Sequence, residues 1–230
     1  MKVLQEKLNF LLEKYSVDVK AELKDAKTVV IDGQALPLLS HRNERRFIEQ
    51  KNIVSGGTLQ GVSVMRVARI LEKGSDLYEA LYRELDICQF VLQRKLVSIM
   101  VMQNDNVLNA ISTCEDGVVC TIEISATMAT GETPKDKHEI IAQRGTCCDV
   151  VVDAQLKQDS IYVFGAENKC FTDVDFELYG LSIDQIAVVR AAFGIAQKKN
   201  YEEMLAIDAQ LTKLVELAKR SAQNGEREVM

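Results

Sequence analysis

Along the chain the spacing of apolar side chains changes twice, from a helical period to an alternating one and back. Leu4, Leu8, Leu11, Leu12 and Tyr15 recur at helical spacing, which predicts an amphipathic helix over 2–15 with one buried stripe. The β-rich run 28–31 meets Asp32-Gly33, a dipeptide suited to a tight turn, and 34–39 reads as the returning strand, confined to an edge by Pro37. Two helices are then expected. One covers 58–71 and stops at Gly74; the next starts at the capping pair Ser75-Asp76 and keeps Leu77, Leu81, Leu85, Cys88 and Leu92 on one face. From Lys95 the period becomes two, predicting strands over 95–102, 107–113 and 118–128, the last two joined as a hairpin through Glu115-Asp116-Gly117. Further strands are expected over 138–144, 150–156 and 160–164. Ser182-Ile183-Asp184-Gln185 is a capping box for a helix to about Lys198, and a last helix runs over 201–221. The fold class is therefore α+β: one large, mostly antiparallel open sheet with helices packed on one face and the other face available for dimerisation.

The third of these strands carries that last point. In VVCTIEISATM, Cys120, Ile122, Ile124, Ala126 and Met128 alternate with Thr121, Glu123, Ser125 and Thr127, so one side is buried and the other is polar with no helix left over to cover it. Such a face is either a self-complementary dimer surface or a solvated one.

Composition narrows the partners. Of 230 residues, 47% are hydrophobic and 27% charged, the balance of an ordinary globular chain. A formal charge of -6 argues against a nucleic-acid partner, whose phosphates call for a basic surface. The charged start, with Lys2, Glu6, Lys7, Glu13 and Lys14, is unlike a signal peptide, and no stretch reaches the length of a membrane span, so no membrane partner and a cytoplasmic location are expected. Six cysteines are scattered without a CxxC pair, which predicts free thiols, most of them in the core. The adjacent Cys147 and Cys148 could serve a metal or redox role, but nothing nearby completes a ligand set, and no metal site is assigned.

Candidate chemistry is sparse. The glycines of IVSGGTLQGVSVMRVARIL (53–71) stand where a phosphate loop could open a helix. The lysine and hydroxyl of GxxxxGK[ST] do not follow Gly61, however, and the charged upstream stretch is unlike the buried strand that precedes a dinucleotide fingerprint. Gly56 and Gly57 are read instead as permitting a turn at the helix start. In HRNERRFIEQK, an exposed loop or short helix, Arg42, Arg45 and Arg46 either grip an anionic ligand or belong to a solvated face with Glu44 and Glu49. Of the two histidines, His41 is expected to be exposed, whereas His138 either acts as an acid or base with Glu139 or Asp136 or anchors its strand by hydrogen bonding. Arg144, Asp149, Asp153, Gln155 and Tyr162, with Lys135 or Lys137 at the mouth, could line a small pocket in which Arg144 clamps an anion, or form a polar network across a dimer interface.

The order LVSIMV, DNVLNAISTCEDGVVCTIEISAT, KHEIIAQRG and KLVELAKRSAQNGEREV resembles the C-terminal domain of the glucose-fructose oxidoreductase/inositol dehydrogenase (Gfo/Idh/MocA) family, whose patterns are VSAxV, DNVxxxLxFENGAVGTIEIS and HEIxGxxG. The resemblance covers about the last 135 residues well and the first hundred poorly. It implies an oxidoreductase C-terminal-like α+β domain over 51–230 that pairs through its open sheet, and the helix and hairpin read from the spacing over 1–50 form an extension to it. In the family an N-terminal Rossmann domain holds the nicotinamide cofactor, with a lysine in an EKP-type motif. Neither is recognisable here, so no cofactor is expected on this chain, with NAD(P) entering only on a partner domain.

The family's catalytic helix, GG-x-L-x-D-x-G-x-H-x-x-D, laid on GGTLQGVSVMRVARIL puts Gly61 and Ala68 at the aspartates and Met65 at the histidine that transfers the proton; methionine has no proton to transfer. Three functions follow as expectations. The first is a stand-alone, non-catalytic relative that dimerises or binds a small polar metabolite, with Lys137, Glu139, Arg144, Asp153, Gln155 and Tyr162 as ligand candidates and His138 as the candidate should any catalysis survive. The second is an oxidoreductase subunit completed by a separately encoded nucleotide-binding chain. The third is a purely structural oligomerisation protein.

Overall fold

A computed structural model describes residues 1–149 and 175–230 in full and the backbone of 160–163 and 169–172. The expected strand over 150–156, with Asp153 and Gln155, lies outside the described residues. The chain divides into two compact units: 1–45 with 154–208, and 46–153 with 209–230.

In the first unit, α1 (Lys2–Lys14) buries Leu4, Leu8, Leu11 and Leu12, the expected stripe. A three-stranded antiparallel sheet of β1 (Ala21–Leu23), β2 (Thr28–Ile31) and β3 (Gln34–Pro37) follows, with Pro37 on an edge strand as its missing N–H requires. The free edge of β1 is blunted by Gln5, whose amide donates to the Ala21 carbonyl at 2.8 Å and accepts from the Leu23 N–H at 2.8 Å. A 3-10 turn (Ser40–Asn43) packs on α4 (Ile183–Lys198). His41, expected to be exposed, is buried, because this turn is covered by the alanine-rich side of α4 and is not a free loop. Strands β10 (Ser160–Val163) and β11 (Lys169–Thr172) pair antiparallel. Helix α4 carries the expected capping box: the Ser182 hydroxyl accepts from the Gln185 N–H, and the Gln185 side chain from the Ser182 N–H.

The second unit is a seven-stranded sheet in the order β12-β5-β6-β7-β4-β8-β9, built from β4 (Val62–Glu72), β5 (Leu96–Gln103), β6 (Val107–Cys114), β7 (Val119–Met128), β8 (Lys135–Ala142), β9 (Gly145–Cys148) and β12 (Glu228–Val229). All pairings are antiparallel except β4 with β7. Helices α2 (Arg45–Ser55), α3 (Leu77–Leu92) and the second half of α5 (Tyr201–Asn224) complete the unit, with the Ser221 hydroxyl on α5 accepting from the Val101 N–H of β5.

A second expectation is overturned. The stretch 58–71, taken as a helix, is strand β4 from Val62 onward. The preceding glycines end a helix rather than open one: the Gly56 N–H donates to the Asn52 carbonyl, closing α2, and Gly57 (φ 71°) and Gly61 (φ 65°) turn the chain into β4 through left-handed conformations. Met65, placed at the catalytic histidine by the earlier alignment, is therefore a core residue on a strand with no solvent exposure. That alignment fails, because the motif belongs to a helix.

The two faces of the sheet differ as the alternation in β7 implies. Cys120, Ile122, Ile124 and Ala126 are buried together with Ile99, Leu108, Val67 and Ile140 of neighbouring strands. On the other side the register aligns Met100, Ile111, Thr121, Arg66 and Glu139 in one row and Met102, Asn109, Glu123, Ala68 and Lys137 in the next. Ile111 (51% exposed), Met102 (71%) and Ile70 (40%) lie open on that side. Truncating the inner face, as in Ile122→Ala, is expected to cost about 2–5 kcal/mol in chemical denaturation. Glu123→Ala on the outer face should stay within about 0.5 kcal/mol.

Candidate functional site

The inward face of β8 presents Asp136, His138 and Ile140 at alternate positions, and the packing of α2, α3 and β4 brings charged side chains against the first two. His138 has no exposed surface. Its Nε2 lies 2.7 Å from Glu84 Oε2 on α3, and its Nδ1 lies 2.8 Å from Asp149 Oδ2 just after β9. The second Asp149 oxygen accepts the His138 backbone N–H at 2.7 Å. Below the ring, Phe47 of α2 sits edge-on at 4.7 Å between centroids, and the Gln50 amide donates to the His138 carbonyl.

An imidazole with both nitrogens against carboxylates can satisfy both only as a donor at each, that is, as imidazolium. Burial opposes the charge, but the Glu84 carboxylate and the hydrogen bonds to Asp149 and Glu84 outweigh it, raising the His138 pKa to about 9. For Glu84 burial acts upward, whereas Arg83, His138 and Arg69 act downward and prevail, holding the carboxyl well below the usual range.

Three guanidiniums complete the cluster. Arg69 on β4, in register with Asp136 on β8, lies 3.0 Å from Glu84 and 3.1 Å from Asp136. Arg83, the residue before Glu84 on α3, lies 2.6 Å from Glu84 and 3.4 Å from Asp136. Arg46 grips Asp136 with two nitrogens at 2.5 and 3.0 Å, reaches Asp149 at 3.1 Å, and stacks over the Phe47 ring at 4.4 Å. Asp136 is accordingly held below the usual carboxylate range: burial would raise it, and the Arg46 hydrogen bonds lead the opposing effects.

Glu84, Asp136 and His138 offer ligand atoms within 4.8 Å of one another, close enough to suggest a metal centre. The chemistry of the donors does not fit one. A cation would need a ring-nitrogen lone pair that the imidazolium lacks, and it would have to displace the arginines that already neutralise both carboxylates.

The structure disperses most of the residues singled out by sequence. Lys137 and Glu139 point to the opposite face of β8 from His138, Lys137 exposed and Glu139 facing Arg66 at 3.5 Å. Lys135 is also exposed on that side, and Arg144 is an exposed turn residue between β8 and β9. Of Tyr162 only the backbone, on β10, is described. Asp153 and Gln155 lie outside the described residues. His138, Asp136, Asp149 and Arg46 do converge. Cys147 and Cys148 lie half-buried on β9.

Glu84, Arg69, Arg83 and Phe47 escaped the sequence reading. The signal for Glu84 was present: it falls three residues after Leu81 and seven after Leu77, inside the apolar stripe of α3.

Comparison with known proteins supports the fold. No family profile matches the chain, and no curated protein matches it. Among solved structures, scyllo-inositol dehydrogenase from Lactobacillus casei with bound NAD(H) and scyllo-inositol superposes with a TM-score of 0.60 at 12% identity, over 83% of this chain and 63% of that one. Myo-inositol dehydrogenase from Lactobacillus casei, in complex with NAD(H) and myo-inositol, gives 0.60 at 15% identity over 84% and 60%. A probable dehydrogenase from Thermotoga maritima gives 0.61 at 11% over 83% and 63%. The chain thus has the fold of Gfo/Idh/MocA-type dehydrogenases and spans under two thirds of their length, in line with the resemblance read from its second half.

The linkage of His138 to folding has a definite sign. Its pKa is raised in the folded state, so its stabilising contribution is complete below about pH 6.5, the ordinary histidine value, and is lost as pH rises through about 9. Urea midpoints measured between pH 6.5 and 10 should fall over that interval. Glu84→Gln, which leaves the imidazolium and two arginines short of a buried partner, should cost about 3–5 kcal/mol at pH 7.

Proposed function

We propose that the chain is a non-catalytic relative of the C-terminal substrate-binding and dimerisation domain of Gfo/Idh/MocA oxidoreductases, which binds a small polar metabolite and pairs with a second copy through the open face of its sheet. The observation that carries the reading is the identity of one residue on α3. This helix leads directly into β5, the strand matched to VSAxV, and so stands where the family's catalytic helix stands in order. Its residues Leu77, Glu79, Leu81, Arg83 and Asp86 fall on L-x-D-x-G-x-H-x-x-D with Arg83 at the histidine. A guanidinium does not release its proton near neutral pH, and this one is engaged with Glu84 and Asp136. Its place in an ion cluster favours binding over proton transfer.

The start of α3 supports the absence of a coenzyme. It follows β4, the strand paired in parallel with β7, and such a junction can hold a pyrophosphate on its N–H groups. Here the Asp76 carboxylate takes the N–H groups of Tyr78 and Glu79 at 2.8 and 3.2 Å, putting a negative charge where the phosphate would sit. Calorimetric titration with NADH at micromolar concentration is expected to give no binding heat; a saturable signal would overturn the non-catalytic reading.

Pairing is favoured by the apolar side chains open on the outer face, Ile111, Met100, Met102 and Ile70, set among threonines and serines on a pleated surface. Light scattering on a sizing column should report about twice the 25.7 kDa chain mass, and Ile111→Lys should return the protein to monomer with an unchanged circular dichroism spectrum. A second reading, an oxidoreductase subunit completed by a separate nucleotide-binding chain, draws on the 60–63% coverage of the NAD-bound relatives. Co-purification with such a chain, and NADH binding only by the complex, would favour it.

A further inference from the structure

The arginines of the cluster are arranged around Asp136 in a way that its structural duties do not require. Glu84 and Asp149 are fully buried and hold His138 between them. Asp136 does neither. It sits outside them, 16% exposed, with Arg46, Arg69 and Arg83 at 19%, 16% and 20%. Its two oxygens receive four N–H contacts from three guanidiniums, two of them the parallel fork of Arg46. That is how proteins grip a carboxylate or phosphate ligand. Each of the three arginines also has a deeper carboxylate, Arg46 through Asp149 and Arg69 and Arg83 through Glu84. Removing Asp136 would therefore leave the guanidiniums anchored from behind and still converging on the vacated volume. Among the described ion pairs, three arginines and the imidazolium face three carboxylates, and without Asp136 they would face two. Arg69 Nε is buried with no hydrogen-bond partner among the described residues.

We infer that Arg46, Arg69 and Arg83 form an oxyanion-binding cradle in which the Asp136 carboxylate is an internal occupant, and that a phosphate monoester or small carboxylate takes the same donors when Asp136 gives way. The inference deepens the binding part of the proposed function and rests on it: it names the metabolite class as anionic and the mouth of this cluster as its site. Asp136 is the second residue of β8, next to Lys135 and the exposed segment 129–134, so releasing it disturbs one strand end and leaves Glu84, His138 and Asp149 in place. As a tethered competitor it keeps the site weak toward stray anions, and only a ligand with more charge or further contacts displaces it.

The test uses the full chain and inorganic phosphate, read as thermal stabilisation against chloride at matched ionic strength. Asp136→Ala should reach half-saturation at a phosphate concentration lower than wild type by about tenfold or more, the change expected when a charge-assisted competitor is removed. Adding Arg83→Gln to Asp136→Ala should abolish the gain. Acetate in a parallel arm identifies the class, a response to acetate alone assigning a carboxylate ligand and a response to phosphate a phosphorylated one. Asp136→Asn, which keeps the volume, is read in the same way. Should either variant be unfolded in chloride, recovery of its far-ultraviolet dichroism on adding phosphate supports the cradle, and no recovery overturns it. Folded variants that respond to phosphate no better than wild type, or a gain that survives Arg83→Gln, also overturn it. A panel in which only neutral polyols stabilise the wild-type chain would refute the anionic class while leaving metabolite binding itself standing.

Discussion

Burying an imidazole between two carboxylates is the constraint from which the centre of the sheet-bearing unit follows. Neither Glu84 nor Asp149 can be sealed from water as a bare anion, and neither is. The His138 imidazolium donates one N–H to each, and the remaining charge is met by arginines from three elements: Arg69 from β4, Arg83 from α3, Arg46 from α2. The cluster ties two strands, two helices and the turn after β9 through directional contacts that tolerate little displacement. Such a lattice adds little net stability over a well-packed apolar core, but it penalises any arrangement that leaves one of its members unpaired. It fixes the α3–β4–β8 geometry around His138, Asp136 and Arg46.

The same lattice explains what the sequence revealed and what it hid. The hairpin through Asp116-Gly117, the strand alternation in β7 and the capping box at Ser182 rest on local rules, and the structure reproduces each. Strand β4 was hidden for a physical reason. Its inward positions are Met65, Val67, Arg69 and Leu71, and the arginine breaks the period of two at its middle, while Val64, Val67, Ala68 and Leu71 imitate helical spacing. The inward arginine is tolerated only because Glu84 and Asp136 receive it, and both partners are remote in sequence. His41 was hidden in a different way, since a run of charged neighbours masks one buried side chain. Valines 62, 64 and 67 with Ile70 did carry the opposite signal, a density of β-branched residues that argues for a strand.

Correcting β4 changes the functional comparison. With the catalytic motif moved from that strand to α3, the position of the proton-transferring histidine passes from a core methionine to an arginine inside the charged cluster. In the proposed reading the histidine is not simply absent but replaced by a guanidinium held between Glu84 and Asp136. The fold carries over from the inositol dehydrogenases at 12–15% identity, and the chemistry is argued from these residues alone.

The measurement that bears most directly on this account is nitrogen-15 NMR of the His138 ring in the intact chain. The account predicts both ring nitrogens protonated at neutral pH, each hydrogen-bonded, with a single titration near pH 9. A neutral ring at pH 7, carrying one proton and titrating near the ordinary histidine value of about 6.5, would contradict it and return His138 to the candidates for acid-base chemistry or metal binding.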